Sequence, residues 1–287
     1  MKHIFTVLAL GAFFTLAVSH ASAQVVVELD MNQEQFLSGE ALPVAVKITN
    51  QSGRQLHFGA AGDWLTFSVE SVDGFVVNRK SELPVQGEFE LESSQMGTKH
   101  VDIAPGFIIS KPGRYKVTAT LRNKDLSAPV TSPAKTFDVI TGAKLWNQEF
   151  GLPATNGLPE MRKFSLEQAS YLRAQMRLYV QVSDATESRI FTTVALGASV
   201  SFSRPEAQVD RTSRLHVLWQ SGAQSFSYCT VSPDGEILSR DTYDDFDSRP
   251  RLRVNDSGDV VIIGGLKRPK PAAIPAIPPP AEAVPGK

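Results

Sequence analysis

From Val25 to Ile140 the sequence is a succession of short runs rich in Val, Ile, Phe and Thr, punctuated by Gly, Pro, Asn and Asp at intervals of about ten to fifteen residues. Strands of that length and spacing suit an antiparallel arrangement, because each turn is too short to hold a crossover helix. The alternation within the runs agrees. Leu42, Val44, Val46 and Ile48 fall on one face of a strand, while Pro43, Ala45, Lys47 and Thr49 fall on the other. Leu65, Phe67 and Val69 repeat the pattern ahead of Asp73-Gly74, which predicts a tight hairpin returning along Phe75 to Val77. Phe89 and Leu91, Val101 and Ile103, Tyr115 to Leu121, and Phe137 to Ile140 bring the count to about eight strands. With 42% hydrophobic residues the chain can bury one large or two ordinary cores, and its 18 prolines and 20 glycines argue against helical bundles. The fold class expected is all-β.

The first residues, Met1 to Gln24, combine Lys2, an apolar run from Ile4 to Val18 and small residues at Ala21 and Ala23. The run is short of the roughly 20 residues that cross a bilayer. Residues 1–23 therefore read as a secretory signal peptide cleaved before Gln24, and the mature protein is expected in the bacterial periplasm or secreted. Export permits disulfides, but Cys229 is the only cysteine, so no intrachain bridge exists and apolar burial must hold the fold. Within the strand-like Phe226–Val231 run, Cys229 itself reads as a buried apolar residue. A formal net charge of -1 supplies no field for nucleic acid.

In Lys111-Pro112-Gly113-Arg114-Tyr115-Lys116-Val117, Pro-Gly presets a turn and Tyr115 opens a strand two residues before an inward apolar position. The motif resembles the tyrosine corner of immunoglobulin-like domains. Val117 stands where many of them carry a half-cystine, so residues 24–141 resemble the disulfide-free bacterial immunoglobulin-like or fibronectin-type sandwiches. The resemblance implies a β-sandwich used for presentation or adhesion, with variable loops at its ends and no chemistry of its own.

Residues 142–161 carry Gly, Pro and Asn punctuation and read as a linker in which Trp146 and Phe150 pack against a neighbouring module. Beyond it, in residues 162–265, the chain repeats itself. Arg177–Val182 aligns with Arg214–Trp219, and the same offset of 37 residues brings Phe191–Val194 onto Tyr228–Val231. Arg204–Val209 aligns with Arg249–Val254 at an offset of 45, each followed by a polar turn, Asp210–Ser213 or Asn255–Gly258. A period near 40 with several strands per unit resembles a β-propeller blade. About two and a half units can be traced, too few for one chain to close a ring, so an open antiparallel β module with edges to protect is expected. Residues 165–176 fit either a helical face or a strand; alternation of Phe164, Leu166 and Gln168 favours a strand at the start.

Residues 266–287 hold seven prolines and read as a disordered, polyproline-like tail, able to dock on a proline-recognising groove or act as a spacer. Losing Lys2 takes the mature chain to -2; the tail, with four basic residues and one acidic, carries +3, leaving about -5 on the rest to attract it weakly.

Motif chemistry is sparse. There is no Gly-x-Ser-x-Gly, His-Glu-x-x-His or Cys-x-x-Cys. His57, His100 and His216 occur singly in strand-like runs and read as structural. The richest polar stretch is a predicted acidic turn, in which Asp241, Asp244, Asp245 and Asp247 are the candidate ligands for calcium or a paired acid and base. Arg204 and Arg249 are expected to pair with those aspartates or clamp an anion. No catalytic residue and no required cofactor is assigned. The reading is an exported, non-enzymatic envelope protein that binds an unknown protein or envelope polymer through sandwich loops or an exposed sheet edge, with oligomerisation as one way of covering that edge. The alternatives are a carboxylate-dependent hydrolase in the repeat module, and a protease inhibitor using a loop at residues 78–88 or 122–134.

Overall fold

The computed structural model describes residues 25–152, 160–172 and 175–269. The signal segment, most of the tail and residues 153–159 lie outside the described residues. Among the described residues the regular structure is β-strand, apart from one 3-10 turn at Ala104–Gly106, and no helix is long and apolar enough to cross a membrane.

The first half contains β1 (Val25–Asp30), β2 (Gln35–Leu37), β3 (Pro43–Asn50), β4 (Leu56–Phe58), β5 (Leu65–Ser71), β6 (Phe89–Leu91), β7 (Met96–Asp102), β8 (Gly113–Leu121), β9 (Val130–Thr131) and β10 (Lys135–Ile140). Strands β1-β3-β7 form one sheet and β2-β10-β8-β5 another, with β9 on β8; β4 and β6 pair by themselves. The alternating faces explain why two sheets form. Val44, Val46 and Ile48 of β3 and Val25 and Val27 of β1 are buried in one cluster with Phe67 and Val69 of β5 and Tyr115, Val117, Ala119 and Leu121 of β8. Each fully buried aliphatic side chain contributes roughly 1.5–3 kcal/mol. The turn at Lys111 to Gly113 behaves as its sequence predicts: the Tyr115 hydroxyl donates to the Lys111 carbonyl at 2.6 Å, and the ring stacks on Phe137 at 5.5 Å.

The predicted hairpin at Asp73-Gly74 is only half present. Gly74 takes its positive φ of 86°, but Phe75 to Val77 do not form a strand. The Asp73 carboxylate instead accepts from the Arg114 backbone N–H at 2.9 Å, and Phe75 packs edge-on against Tyr115. β5 pairs on one side only, with β8.

The second half contains β11 (Ala143–Leu152), β12 (Glu160–Leu172), β13 (Gln175–Asp184), β14 (Ile190–Ser199), β15 (Glu206–Val209), β16 (Leu215–Gln220), β17 (Ser225–Val231), β18 (Ile237–Asp244), β19 (Arg251–Val254), β20 (Val260–Ile263) and β21 (Leu266–Lys267). They form antiparallel sheets β11-β12-β13-β14, β15-β16-β17-β18-β21 and β19-β20, in a propeller-like arrangement. Phe164, Leu166, Leu178, Val180 and Val182 of the first sheet share a buried cluster with Leu215, Val217, Trp219, Cys229 and Val231 of the second.

The internal repeat maps onto these sheets. Hairpin β13–β14 corresponds to β16–β17, and β15 with its turn corresponds to β19. Val180 pairs with Val194, whereas the equivalent Val217 pairs with Cys229, so the registers differ by two residues. A two-residue slip keeps side chains on their original face, and the first strands of both hairpins bury the same positions, Leu178 to Val182 and Leu215 to Trp219. The two polar turns share their bonds: Asp210 and Asn255 each donate their backbone N–H to the carbonyl of the residue four ahead, and each side-chain oxygen accepts from that residue's N–H.

Two sequence expectations, the linker and the start of the tail, are corrected here, and the strand favoured at the start of residues 165–176 is found. The predicted linker at 142–161 is largely strand: β11 begins at Ala143 and β12 at Glu160, and Phe150 stacks on Phe164 at 4.2 Å. Its polar punctuation misled because β11 is a sheet edge with half of its residues exposed. Residues 165–172 are strand throughout their length, with Phe164 and Leu166 fully buried. The tail starts later than predicted, since Leu266 and Lys267 pair with Asp244 and Tyr243 of β18.

Only Thr141 and Gly142 separate β10 from β11. The two halves also touch directly. Leu37, Ala169 and Tyr179 form a third buried cluster with Ile140 and Ala195, and the Thr193 N–H and hydroxyl donate to the carbonyls of Gly39 and Ser38 at 2.9 and 2.7 Å.

Candidate binding site

A cleft of about 400 Å³ opens at one end of the first half. Its floor comes from Phe58 at the end of β4, the small-residue run Gly59 to Ala61, and Trp64 just before β5; its far wall is the loop Arg122–Pro129 between β8 and β9. Gly59 is required, because its φ is +94° and a side-chain carbon would lie 2.6 Å from the Gly87 carbonyl. Trp64 is fixed by its indole N–H donating to the Val85 carbonyl at 2.8 Å, and Phe58 stacks on Phe89 at 5.4 Å. The loop is tied down at three points: Arg122 N–H to Trp64 O at 2.7 Å, the Asn123 amide to His57 O at 2.7 Å, and the Arg54 guanidinium to Asp125 O. The cleft is therefore preformed.

Around the apolar floor lie Arg122, Lys124 and His57. Arg122 is 3.9 Å from Asp63. His57 bridges Glu88 at 3.2 Å and Glu90 at 3.0 Å, and its hydrogen bonds to Glu88 and then Glu90 raise its pKa above the usual imidazole value. Such a cleft offers apolar contact with a polar rim. The loop was visible in the sequence as a candidate, but the contribution of Phe58 and Trp64 was not. The Gly-Ala-Ala-Gly stretch ahead of Trp64 was the available signal.

The predicted acidic turn is taken apart by the fold. Asp241 and Asp244 lie within β18, three residues apart, and so point to opposite faces. Asp241 pairs with Lys267 at 2.8 Å, and Asp244 is held by Arg268. Asp245 and Asp247 follow in the loop after β18. Among the described residues, no group of three or more His, Cys, Asp or Glu side chains is placed to hold a metal ion. Arg249 does not pair with these aspartates: it donates to the Ser203 hydroxyl at 3.1 Å and covers the Phe226 ring at 5.0 Å. Arg204 is exposed on the loop before β15. The cations on Asp241 and Asp244 come from the start of the predicted tail instead, because pairing of β21 with β18 sets Lys267 and Arg268 beside them.

The three histidines among the described residues lie in strands, His57 in β4, His100 in β7 and His216 in β16. Around His216 the fold builds a polar chain that single-residue reading missed. The Tyr228 hydroxyl lies 2.7 Å from His216 Nδ1, and His216 Nε2 lies 3.1 Å from Asp210 Oδ2. Burial pushes the Tyr228 phenol up to about 12, so the hydroxyl keeps its proton. Cys229 is buried with its thiol pushed up to about 12 by burial, which makes it inert.

A second cleft, of about 390 Å³, is lined by Trp219, Ser227, Arg240, Thr242, Arg268 and Pro269 among others. Its arginines are engaged: Arg240 donates to the Leu196 and Ala195 carbonyls at 2.5 and 3.1 Å, and Arg268 holds Asp244.

No protein-family model matches this chain, and no curated protein matches it. Among solved structures, Spo0M, a sporulation control protein from Bacillus subtilis, aligns over 86% of this chain and 91% of its own at 11% identity, with a TM-score of 0.28.

Proposed function

We propose that this chain is an exported, non-enzymatic binding protein of the bacterial envelope, built on an immunoglobulin-like first module, and that it takes its ligand in the cleft floored by Phe58 and Trp64. The observation that carries the reading is the preformed apolar cleft at the loop end, where such modules present their variable loops. Its aromatic floor, small-residue wall and polar rim suit an apolar side chain or chain segment of a protein or envelope polymer. The tyrosine-corner hydrogen bond and the two facing sheets support the immunoglobulin-like assignment. The signal-like leader supports export.

Site-directed photocrosslinking in intact cells tests this. A photoreactive residue at Ser127 is expected to give a discrete adduct that disappears when Leu126→Asp is added, whereas one at Ser239 of β18 gives none. Capture from Ser239 alone, or turnover of glycans or esters that is lost in Asp244→Asn, would overturn it.

A further inference from the structure

The repeat carries one side chain in duplicate that the core does not use. Phe202-Ser203-Arg204-Pro205 precedes β15, and Phe246-Asp247-Ser248-Arg249-Pro250 precedes β19, the second copy longer by one residue. The prolines of both copies are buried, as a packing role requires, but Phe202 and Phe246 are 82% and 76% exposed. The two loops are neighbours, joined by the Arg249 to Ser203 hydrogen bond at 3.1 Å. The second loop adds the carboxylates of Asp245 and Asp247.

We propose that Phe202 and Phe246 form a platform for an extended, proline-rich, basic segment, and that its resident occupant is this chain's own residues 270–287. Pyrrolidine rings pack on aromatic faces at little entropic cost because the polyproline conformation is already extended. Residues 270–287 hold six prolines and, with Lys270, Lys287 and Glu282, a net positive charge to set against Asp245 and Asp247. The point of departure is close. Arg268 N–H donates to the Thr242 carbonyl, three residues before Asp245 along β18, a separation of about 10 Å at strand rise. β21 ends at Lys267, and Pro269, two residues on, lies outside any strand. Eighteen residues at about 3.1 Å each reach several times the distance needed. A tether that short places the segment at an effective concentration of about millimolar, enough for two weak ring contacts.

The test uses the full chain. Because Cys229 is buried and inert, a nitroxide can be attached selectively at Ala276→Cys. In the isotope-labelled protein, amide signals of residues 201–204 and 245–248 are expected to broaden at least twofold relative to the reduced label. In Phe202→Ser/Phe246→Ser, whose changes lie at exposed positions and leave folding intact, that broadening is expected to vanish. Broadening that is absent from the native loops, that persists in the double variant, or that occurs only between differently labelled copies in a mixed sample overturns the proposal.

Discussion

Asp210 sits in the turn between β15 and β16, where its Oδ1 accepts from the Thr212 N–H, the Thr212 hydroxyl and the Arg214 N–H, and its Oδ2 faces His216. Burial pushes its pKa upward, but the hydrogen bonds, from Arg214 N–H first and then His216 and Thr212, outweigh it and hold the carboxyl at about 2. A carboxylate whose pKa is lower folded than unfolded stabilises the fold above its unfolded pKa of about 3.9, and that stability is lost as pH falls toward 2. Asp210→Asn is therefore expected to cost on the order of 2 kcal/mol at pH 7 and much less near pH 2, where the wild-type carboxyl is about half protonated. Urea unfolding at both pH values measures it, and a pH-independent difference would refute the assignment. The polar turn Asp210–Ser213 was legible in the sequence because Asp and Ser favour such turns. Its link to His216 and Tyr228 was not, since those contacts arise across strands whose register depends on the whole sheet.

At the scale of strands and hairpins, Gly235 shows how one turn serves two sheets. It lies at the tip of the β17–β18 hairpin with φ of +89°, and a side-chain carbon there would lie 2.3 Å from Thr192 Cγ2 on β14. Gly74 also has a positive φ, +86°, but nothing within 4 Å of that position. Gly74→Ala is expected to lose about 1 kcal/mol through backbone strain alone. Gly235→Ala adds overpacking between sheets and should lose about 3 kcal/mol, a difference read from chemical denaturation midpoints. Equal losses would mean that the hairpin tip does not bear on β14. The Asp-Gly and Pro-Gly dipeptides announced these turns, and the strand faces of β3, β5 and β8 followed from alternation. β11 escaped notice because an exposed edge strand has no such alternation to read, and its residues resemble a connector. The acidic stretch misled for a related reason. Composition showed charges close in sequence, whereas the pleat sends Asp241 and Asp244 to opposite faces.

For the molecule as a whole, the link between halves is two residues long and flanked by the Leu37–Ala169–Tyr179 cluster and the Thr193 hydrogen bonds. Gly39 belongs to the same contact: its φ is +80°, and any side chain would meet Ile190 at 2.5 Å. Calorimetry of the full chain is accordingly expected to give one unfolding transition with equal van't Hoff and calorimetric enthalpies. Two resolved transitions would show that the halves melt separately. The joint was the least legible feature of all, because its apolar residues are scattered over positions 37 to 195 and no local period connects them. Its consequence is mechanical. With only Thr141 and Gly142 between β10 and β11, the loop-end cleft and the paired Phe202 and Phe246 loops are expected to move together, like the jaws of a locked caliper.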